Sequence, residues 1–151
     1  MPYSFQELNP AEVSWLEEQL ALAWAVVNGP SRSASGDRTV PSLEQLDEAF
    51  RLFVETDPNA NEKANTVVLF MGAALGTHLV QSLGFEWVIA TDDYGTDLAV
   101  VARRGKGDVT IYPDGFVAKR WERRETGFLA GVPAWVAGEL AKSEEQWLNG
   151  A

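Results

Sequence analysis

Three aspartates lie close together at one predicted turn: Asp92, Asp93 and Asp97, with Tyr94 among them. Carboxylate oxygens are ligands for Ca²⁺ and Mg²⁺, and two carboxyl groups with separated pKa values can act as a general acid and a general base. Aspartate is also common in turns, because its side chain hydrogen-bonds its own backbone. The spacing does not match the calcium loop of an EF-hand. We therefore interpret these residues first as turn residues and second as a candidate binding site.

Lys119 and Arg120 form a cationic candidate pair. Arginine makes bidentate hydrogen bonds to carboxylates and phosphates. The two residues are adjacent on a predicted helix, so their side chains diverge and at most one reaches the acidic turn. We expect one to form an internal ion pair, with Asp92 or Asp97 as candidate partners, and the other to face solvent. Binding of an anion or a partner protein is the alternative.

The chain has one histidine, His78, and no cysteine. The lack of cysteine excludes a disulfide scaffold, thiolate zinc sites and a cysteine nucleophile. Because His78 lies in an uncharged segment, we interpret it as a hydrogen-bonded core residue. Its neighbours Thr77 and Ser82 lack the G-x-S-x-G pattern of a nucleophile elbow. The sequence therefore assigns no catalytic residue, no metal ligand and no cofactor.

Trp15 lies beside Leu16, away from the centre of the apolar stripe of its predicted helix. Glu12, Glu17 and Glu18 belong to the same helix. A large aromatic side chain outside the buried stripe, among acids, indicates a surface for interaction. Trp15 and these three glutamates form a candidate interaction patch.

The acidic charge is unevenly distributed along the chain. The 151 residues carry 12 Lys and Arg against 22 Asp and Glu, a net charge of −10. Residues 1–97 carry 15 acids and 4 bases (−11), residues 98–125 carry 4 and 7 (+3), and residues 126–151 carry 3 and 1 (−2). Such acidity disfavours binding to nucleic acid or to an anionic membrane. It favours a protein partner with a basic surface.

The hydrophobic pattern predicts helices first. One begins at Pro10, a second follows Ser42, and a third covers 61–83 and ends at Gly84. No charge interrupts Ala64 to Phe85, a length that could cross a membrane. Polar residues within that stretch favour a buried helix at the centre of the fold instead.

After the third helix, the pattern changes from a period of 3.6 to a period of 2. Three short antiparallel strands are predicted over 85–90, 98–103 and 109–112, followed by helices that begin at Pro113 and near Val132. This order indicates an α+β fold in which helices pack on one face of a three-stranded meander. We expect a single domain, 1–151, made of a helical part (1–60), a helix, meander and short helix (61–125) and a C-terminal helix (126–151).

Two packing details are also predicted. Gly72 and Gly76 lie on one side of the third helix, where they would let another element approach closely. In the last helix, Trp135, Val136 and Trp147 are expected to face the core.

Part of the chain resembles a known family. The shared residues are Leu75-Gly76, Leu79, Leu83-Gly84, Trp87-Val88, Thr91-Asp92, Tyr94-Gly95-Thr96-Asp97, Ile111, Pro113, Val117 and Lys119-Arg120. Over roughly residues 62–125 this pattern resembles the bacterial family of domains of unknown function numbered 3806. The resemblance implies a small bacterial domain and no particular activity.

The acidic charge and the lack of an assembled catalytic set favour a non-enzymatic binding module. We expect it in the cytoplasm, because the N-terminus lacks the pattern of a secretory signal. An acidic, immunity-like protein that covers a basic partner is one form of this hypothesis. The alternative is a carboxylate-assisted or metal-assisted hydrolase with its site at the Asp92–Asp97 turn.

Overall fold

The computed structural model describes residues 4–29 and 40–150, so the Ser-rich stretch at 31–39 lies outside the described residues. Its elements are β1 (Ser4–Gln6), α1 (Pro10–Asn28), α2 (Leu43–Thr56), α3 (Ala60–Leu83), β2 (Glu86–Asp92), β3 (Gly95–Ala102), β4 (Val109–Ile111), α4 (Pro113–Arg123), a single 3₁₀ turn (Leu129–Gly131) and α5 (Val132–Gly150).

Local chemistry fixes the ends of the first three helices. Asn9 caps α1 and Ser42 caps α2, each in a reciprocal capping box with the residue three positions later. These boxes satisfy backbone N–H groups that have no partner inside the helix. Gly84 ends α3 with a left-handed conformation, φ 74°, which glycine adopts without steric cost. The predicted boundaries of these helices are confirmed to within one residue.

Helix α3 forms the centre of the core. Ten of its residues are buried, and its middle section from Phe70 to Gly76 is buried throughout. Among the described residues, α3 alone is long and apolar enough to cross a membrane, and 61% of its most apolar window is buried inside the protein. This is the behaviour of a core helix, as the sequence predicts.

The sheet is antiparallel with four strands in the order β1-β2-β3-β4. The predicted number of three strands is wrong because β1 pairs with β2, placing Phe5 opposite Ala90. Three residues are too few to show an alternating pattern in the sequence. Between β2 and β3, Asp92 lies opposite Gly95, so Asp93 and Tyr94 form a two-residue turn.

The helix arrangement differs in part from the prediction. Helices α1 and α2 pack chiefly on α3, and α3 in turn contacts β2 and β3. The N-terminal helices therefore join the rest of the fold mainly through α3, and the start of α1 also lies near the β2–β3 hairpin. Helix α4 also packs on α3, while α5 contacts α3, β4 and the 3₁₀ turn.

The last helix presents a narrower buried face than predicted. Val132 and Val136 are buried, but Trp135 and Trp147 are 53% and 44% exposed. Residues four apart lie on the same side of a helix, so the valines face the core and Trp135, one residue before Val136, lies at the flank. The expectation that both tryptophans face the core is wrong.

Candidate functional site

A cavity of about 280 Å³ opens between α1, α3, the β2–β3 hairpin and the start of α4. We call it the Trp15 pocket. Its lining residues are Glu12, Trp15, Leu69, Ile89, Thr96, Asp97, Leu98 and Asp114. It brings together one aromatic side chain, three aliphatic side chains and three acids.

The start of α1 positions two of these residues. The backbone N–H of Asn9 donates a 2.8 Å hydrogen bond to Glu12 Oε1, and the Glu12 N–H donates a 2.8 Å bond to Asn9 Oδ1. Glu12 is therefore held at the helix N-terminus. Trp15 follows three residues later on the same side of the helix, where it is half-buried and forms part of the pocket wall.

Asp114 reaches the pocket because α4 packs closely on α3. A Cβ atom built on Gly72 would overlap the Asp114 carboxyl group and would lie 3.0 Å from the Asp114 Cα and N atoms. One turn along α3, a Cβ on Gly76 would overlap the Trp87 ring and lie 3.1 Å from Pro113 Cγ. The two glycines thus admit the first residues of α4, which confirms the predicted close approach.

Burial, and to a lesser extent the negative charge of Asp97, together raise the pKa of Asp114 to about 6. Desolvation and a like charge both disfavour the ionised form of a carboxyl group. Neither α1 nor the segment 86–102 contains a lysine or arginine, so these elements supply no cation to neutralise the acids. The pocket consequently offers negative charge and an aromatic face beside aliphatic walls.

The hairpin tip holds the other predicted aspartates apart from this pocket. The Tyr94 N–H donates a 2.8 Å hydrogen bond to Asp92 Oδ1, so Asp92 acts as a turn residue. Asp93 is exposed, and Tyr94 is 98% exposed. Of the three aspartates, only Asp97 lines the pocket. Across residues 4–29 and 40–150, no three His, Cys, Asp or Glu side chains are grouped to hold a metal ion.

Lys119 and Arg120 line a different cavity, between α4, β4 and α5. The carboxylate nearest to Arg120 is that of Glu125, whose Oε2 lies 3.8 Å from Arg120 Nε. The ion pair of Arg120 thus lies at the end of its own helix and does not involve Asp92 or Asp97. Lys119 is exposed.

Glu17 and Glu18 do not reach the Trp15 pocket. Both are exposed on α1, and Glu17 borders a separate cavity of about 560 Å³ that also includes His78. His78 Nε2 lies 2.7 Å from the Pro41 carbonyl oxygen. Since that oxygen can only accept, we assign the Nε2–H tautomer, which ties α3 to the segment before α2.

Sequence reasoning missed Asp114. An acid in the first turn of a helix is common, because it interacts favourably with the helix dipole, so its position next to Pro113 carries no functional signal. Gly72 and Gly76 indicate that some element approaches α3, but they do not indicate which one. The proximity of Asp97 to Asp114 depends on that docking.

A protein-family model described as "Domain of unknown function (DUF3806)" matches residues 52–130, just over half of the chain. The match includes Asp97 and Asp114 but not α1, which supplies Glu12 and Trp15. No curated protein and no solved structure matches the chain.

Proposed function

Because the chain belongs to the DUF3806 family of domains of unknown function, we propose its role from the geometry of the Trp15 pocket: it is a non-enzymatic binding module that receives a cationic side chain of a basic protein partner. The supporting observation is the convergence of Trp15, Asp97 and Asp114 around one cavity of about 280 Å³.

Each wall of the pocket matches one part of a lysine or arginine side chain. The aliphatic stem of such a side chain is apolar and can pack on Leu69, Ile89 and Leu98. Its charged head is attracted to the carboxylates of Asp97 and Asp114. The face of a tryptophan such as Trp15 contributes about 0.5–2 kcal/mol to binding a cation.

The surrounding charge favours the same partner. Helix α1 and the β2–β3 hairpin carry only acidic charged side chains, including the exposed Glu17, Glu18 and Asp93. A surface of one sign accelerates association with a partner of the opposite sign, and this acceleration falls with ionic strength. The expected partner is a protein with a basic surface, as an immunity-like role would require.

A titration with a tetra-arginine peptide tests this proposal. We expect saturable NMR shifts of the Trp15 indole N–H and the Asp97 amide, with affinity that falls as salt is added. Asp97→Asn should weaken binding, while Glu44→Gln, which removes an exposed acid from α2, should not. Binding should also weaken from pH 7 to pH 5, because protonation of Asp114 removes one negative charge. Equal loss of affinity in both variants would show that only net charge attracts the peptide.

One observation favours a second candidate function. Asp97 lies close enough to Asp114 to raise the pKa of Asp114, and a carboxyl group with a raised pKa beside a second carboxyl group is an arrangement used in acid–base hydrolysis. This form of the hydrolase hypothesis uses Asp114 in place of Asp92, Lys119 and Arg120. Release of 4-nitrophenol from 4-nitrophenyl glycosides and esters between pH 5 and pH 8, abolished by Asp114→Asn, would support it. No release from any of these substrates would count against it.

A further inference from the structure

A second pocket, whose charged lining residues are cationic where those of the Trp15 pocket are acidic, lies between the end of β4, α4 and α5. Its volume is about 250 Å³, and we call it the Arg120 pocket. The side chains that carry its chemistry are Tyr112, Phe116, Lys119, Arg120 and Trp135. It therefore combines two cations with three aromatic rings, in the part of the chain where bases exceed acids.

Arg120 lies against the Phe116 ring, yet few of its hydrogen-bond donors are used. Its guanidinium carbon lies 3.8 Å from the centroid of the Phe116 ring, and its side chain is 24% exposed. Nη1 donates one long hydrogen bond of 3.4 Å to the Phe116 carbonyl oxygen. Nε is buried without a hydrogen bond, 3.8 Å from a Glu125 oxygen. A guanidinium carries five N–H donors, so this group keeps donors for an incoming acceptor.

The other walls are apolar on one side and cationic on the other. Trp135 is 53% exposed, and its ring lies 6.0 Å from that of Phe116. An exposed indole beside a second ring offers a flat surface on which an aromatic or aliphatic group can pack. Lys119 is exposed and has no ion pair with any residue in 4–29 or 40–150. It adds a second positive charge at the same cavity.

We propose that the Arg120 pocket binds a compact carboxylate attached to an apolar or aromatic body, either a free small acid or the C-terminal residue of a peptide. A guanidinium matches the two oxygens of a carboxylate with two parallel hydrogen bonds. Lys119 and Arg120 line the cavity with two positive charges, and Glu125, which also pairs with Arg123, lies 3.8 Å from Arg120 and offsets part of its charge. The lining therefore suits a single negative charge better than a phosphate dianion. The aromatic walls receive the body of the ligand. This binding is independent of the Trp15 pocket.

Isothermal titration calorimetry with phenylacetate tests the proposal. Acetate, benzyl alcohol and phenyl phosphate are titrated separately for comparison. We expect phenylacetate to bind saturably and more tightly than the other three, since acetate lacks the ring, benzyl alcohol lacks the charge and phenyl phosphate carries a second charge. The peptide Gly-Gly-Phe, with a free or an amidated C-terminus, distinguishes a peptide ligand from a free small acid. Tighter binding of the free peptide than of phenylacetate identifies a peptide C-terminus, and weaker binding identifies a small acid.

Two variants and a matched control locate the site. Arg120→Lys keeps the charge but removes the fork of donors, and we expect about a tenfold loss of phenylacetate affinity from losing a charge-assisted hydrogen bond. Lys119→Gln, which removes no side-chain hydrogen bond or ion pair to a residue in 4–29 or 40–150, should weaken binding about two- to fivefold. Lys106→Gln, which removes an exposed lysine of the β3–β4 turn outside the pocket, should leave affinity unchanged. Absence of saturable binding by phenylacetate and the free peptide, equal binding of benzyl alcohol, or an equal loss of affinity in Lys106→Gln would overturn the proposal.

Discussion

Replacement of Asp114 by asparagine should make the protein more stable at neutral pH and should remove part of its pH dependence. The pKa of Asp114 is raised from 3.8 to about 6 in the folded protein, chiefly by burial and then by the charge of Asp97. Between these two pH values the folded state binds more protons than the unfolded state. The free energy of unfolding therefore falls as the pH rises through this range.

The magnitude follows from the same two pKa values. A rise from 3.8 to about 6 corresponds to at most about 3 kcal/mol. Since Asp114 is only partly buried, solvent screening reduces this cost, and we expect about 1–2 kcal/mol. The cost is absent below about pH 4, where the carboxyl group is protonated in both states, and is complete above about pH 6. Asparagine has nearly the same shape and no charge, so it avoids the cost at every pH.

Urea unfolding followed by far-ultraviolet circular dichroism at pH 4, 5, 6 and 7.5 measures this effect. Asp114→Asn should match the unmodified protein at pH 4 and exceed its free energy of unfolding by about 1–2 kcal/mol at pH 7.5. Asp93→Asn is the matched control, because it removes the same charge from an exposed position on the hairpin tip. The reasoning would be refuted if the free energies of unfolding of Asp114→Asn and the unmodified protein changed with pH in the same way. It would also be refuted if Asp93→Asn gained as much stability as Asp114→Asn.

Two further predictions concern packing and can be measured by the same urea unfolding. Gly72→Ala should destabilise the protein by about 1–3 kcal/mol through overpacking against Asp114. The control Gly138→Ala, at an exposed helical position with no atom in reach of a new Cβ, should stabilise the protein by about 0.5–1 kcal/mol. A higher free energy of unfolding in both variants would show that α4 does not pack tightly on α3. Asp47→Ala should lower the free energy of unfolding by about 1–3 kcal/mol, because the Asp47 carboxylate accepts hydrogen bonds of 2.7 and 2.9 Å from two N–H groups of the 3₁₀ turn. The control Glu44→Ala should change stability little. An Asp47→Ala variant as stable as the unmodified protein would contradict this prediction.

Helix boundaries were predictable because their causes are local. A capping residue such as Asn9 or Ser42 acts on backbone groups two or three positions away, and the left-handed conformation of Gly84 depends on that residue alone. The sequence also indicates that Gly72 and Gly76 admit a neighbour, because small residues on one side of a buried helix leave room for one.

The missed features depend on contacts between distant parts of the chain. β1 is recognisable as a strand only through its pairing with β2, which lies more than eighty residues later. Asp114 became part of the candidate site because α4 docks on Gly72 of α3. In α5, the valines and the tryptophans are both apolar, so composition did not reveal that Trp135 lies at the flank of the buried face.

The short strand β1 has a consequence for the exposed edge of the sheet. The outer edge of β2 offers unpaired backbone groups that another chain could extend into a larger sheet. Among the described residues, β1 occupies this edge from Ser4 to Gln6. The Arg104 guanidinium donates a 3.1 Å hydrogen bond to the Phe5 carbonyl oxygen and lies 5.5 Å from the Phe5 ring. A short edge strand with a cation close to it is a poor template for intermolecular pairing. β1, whose Phe5 also packs on the buried cluster of Val88, Ala90, Ala99 and Val101, thus covers part of an edge that another strand could otherwise extend.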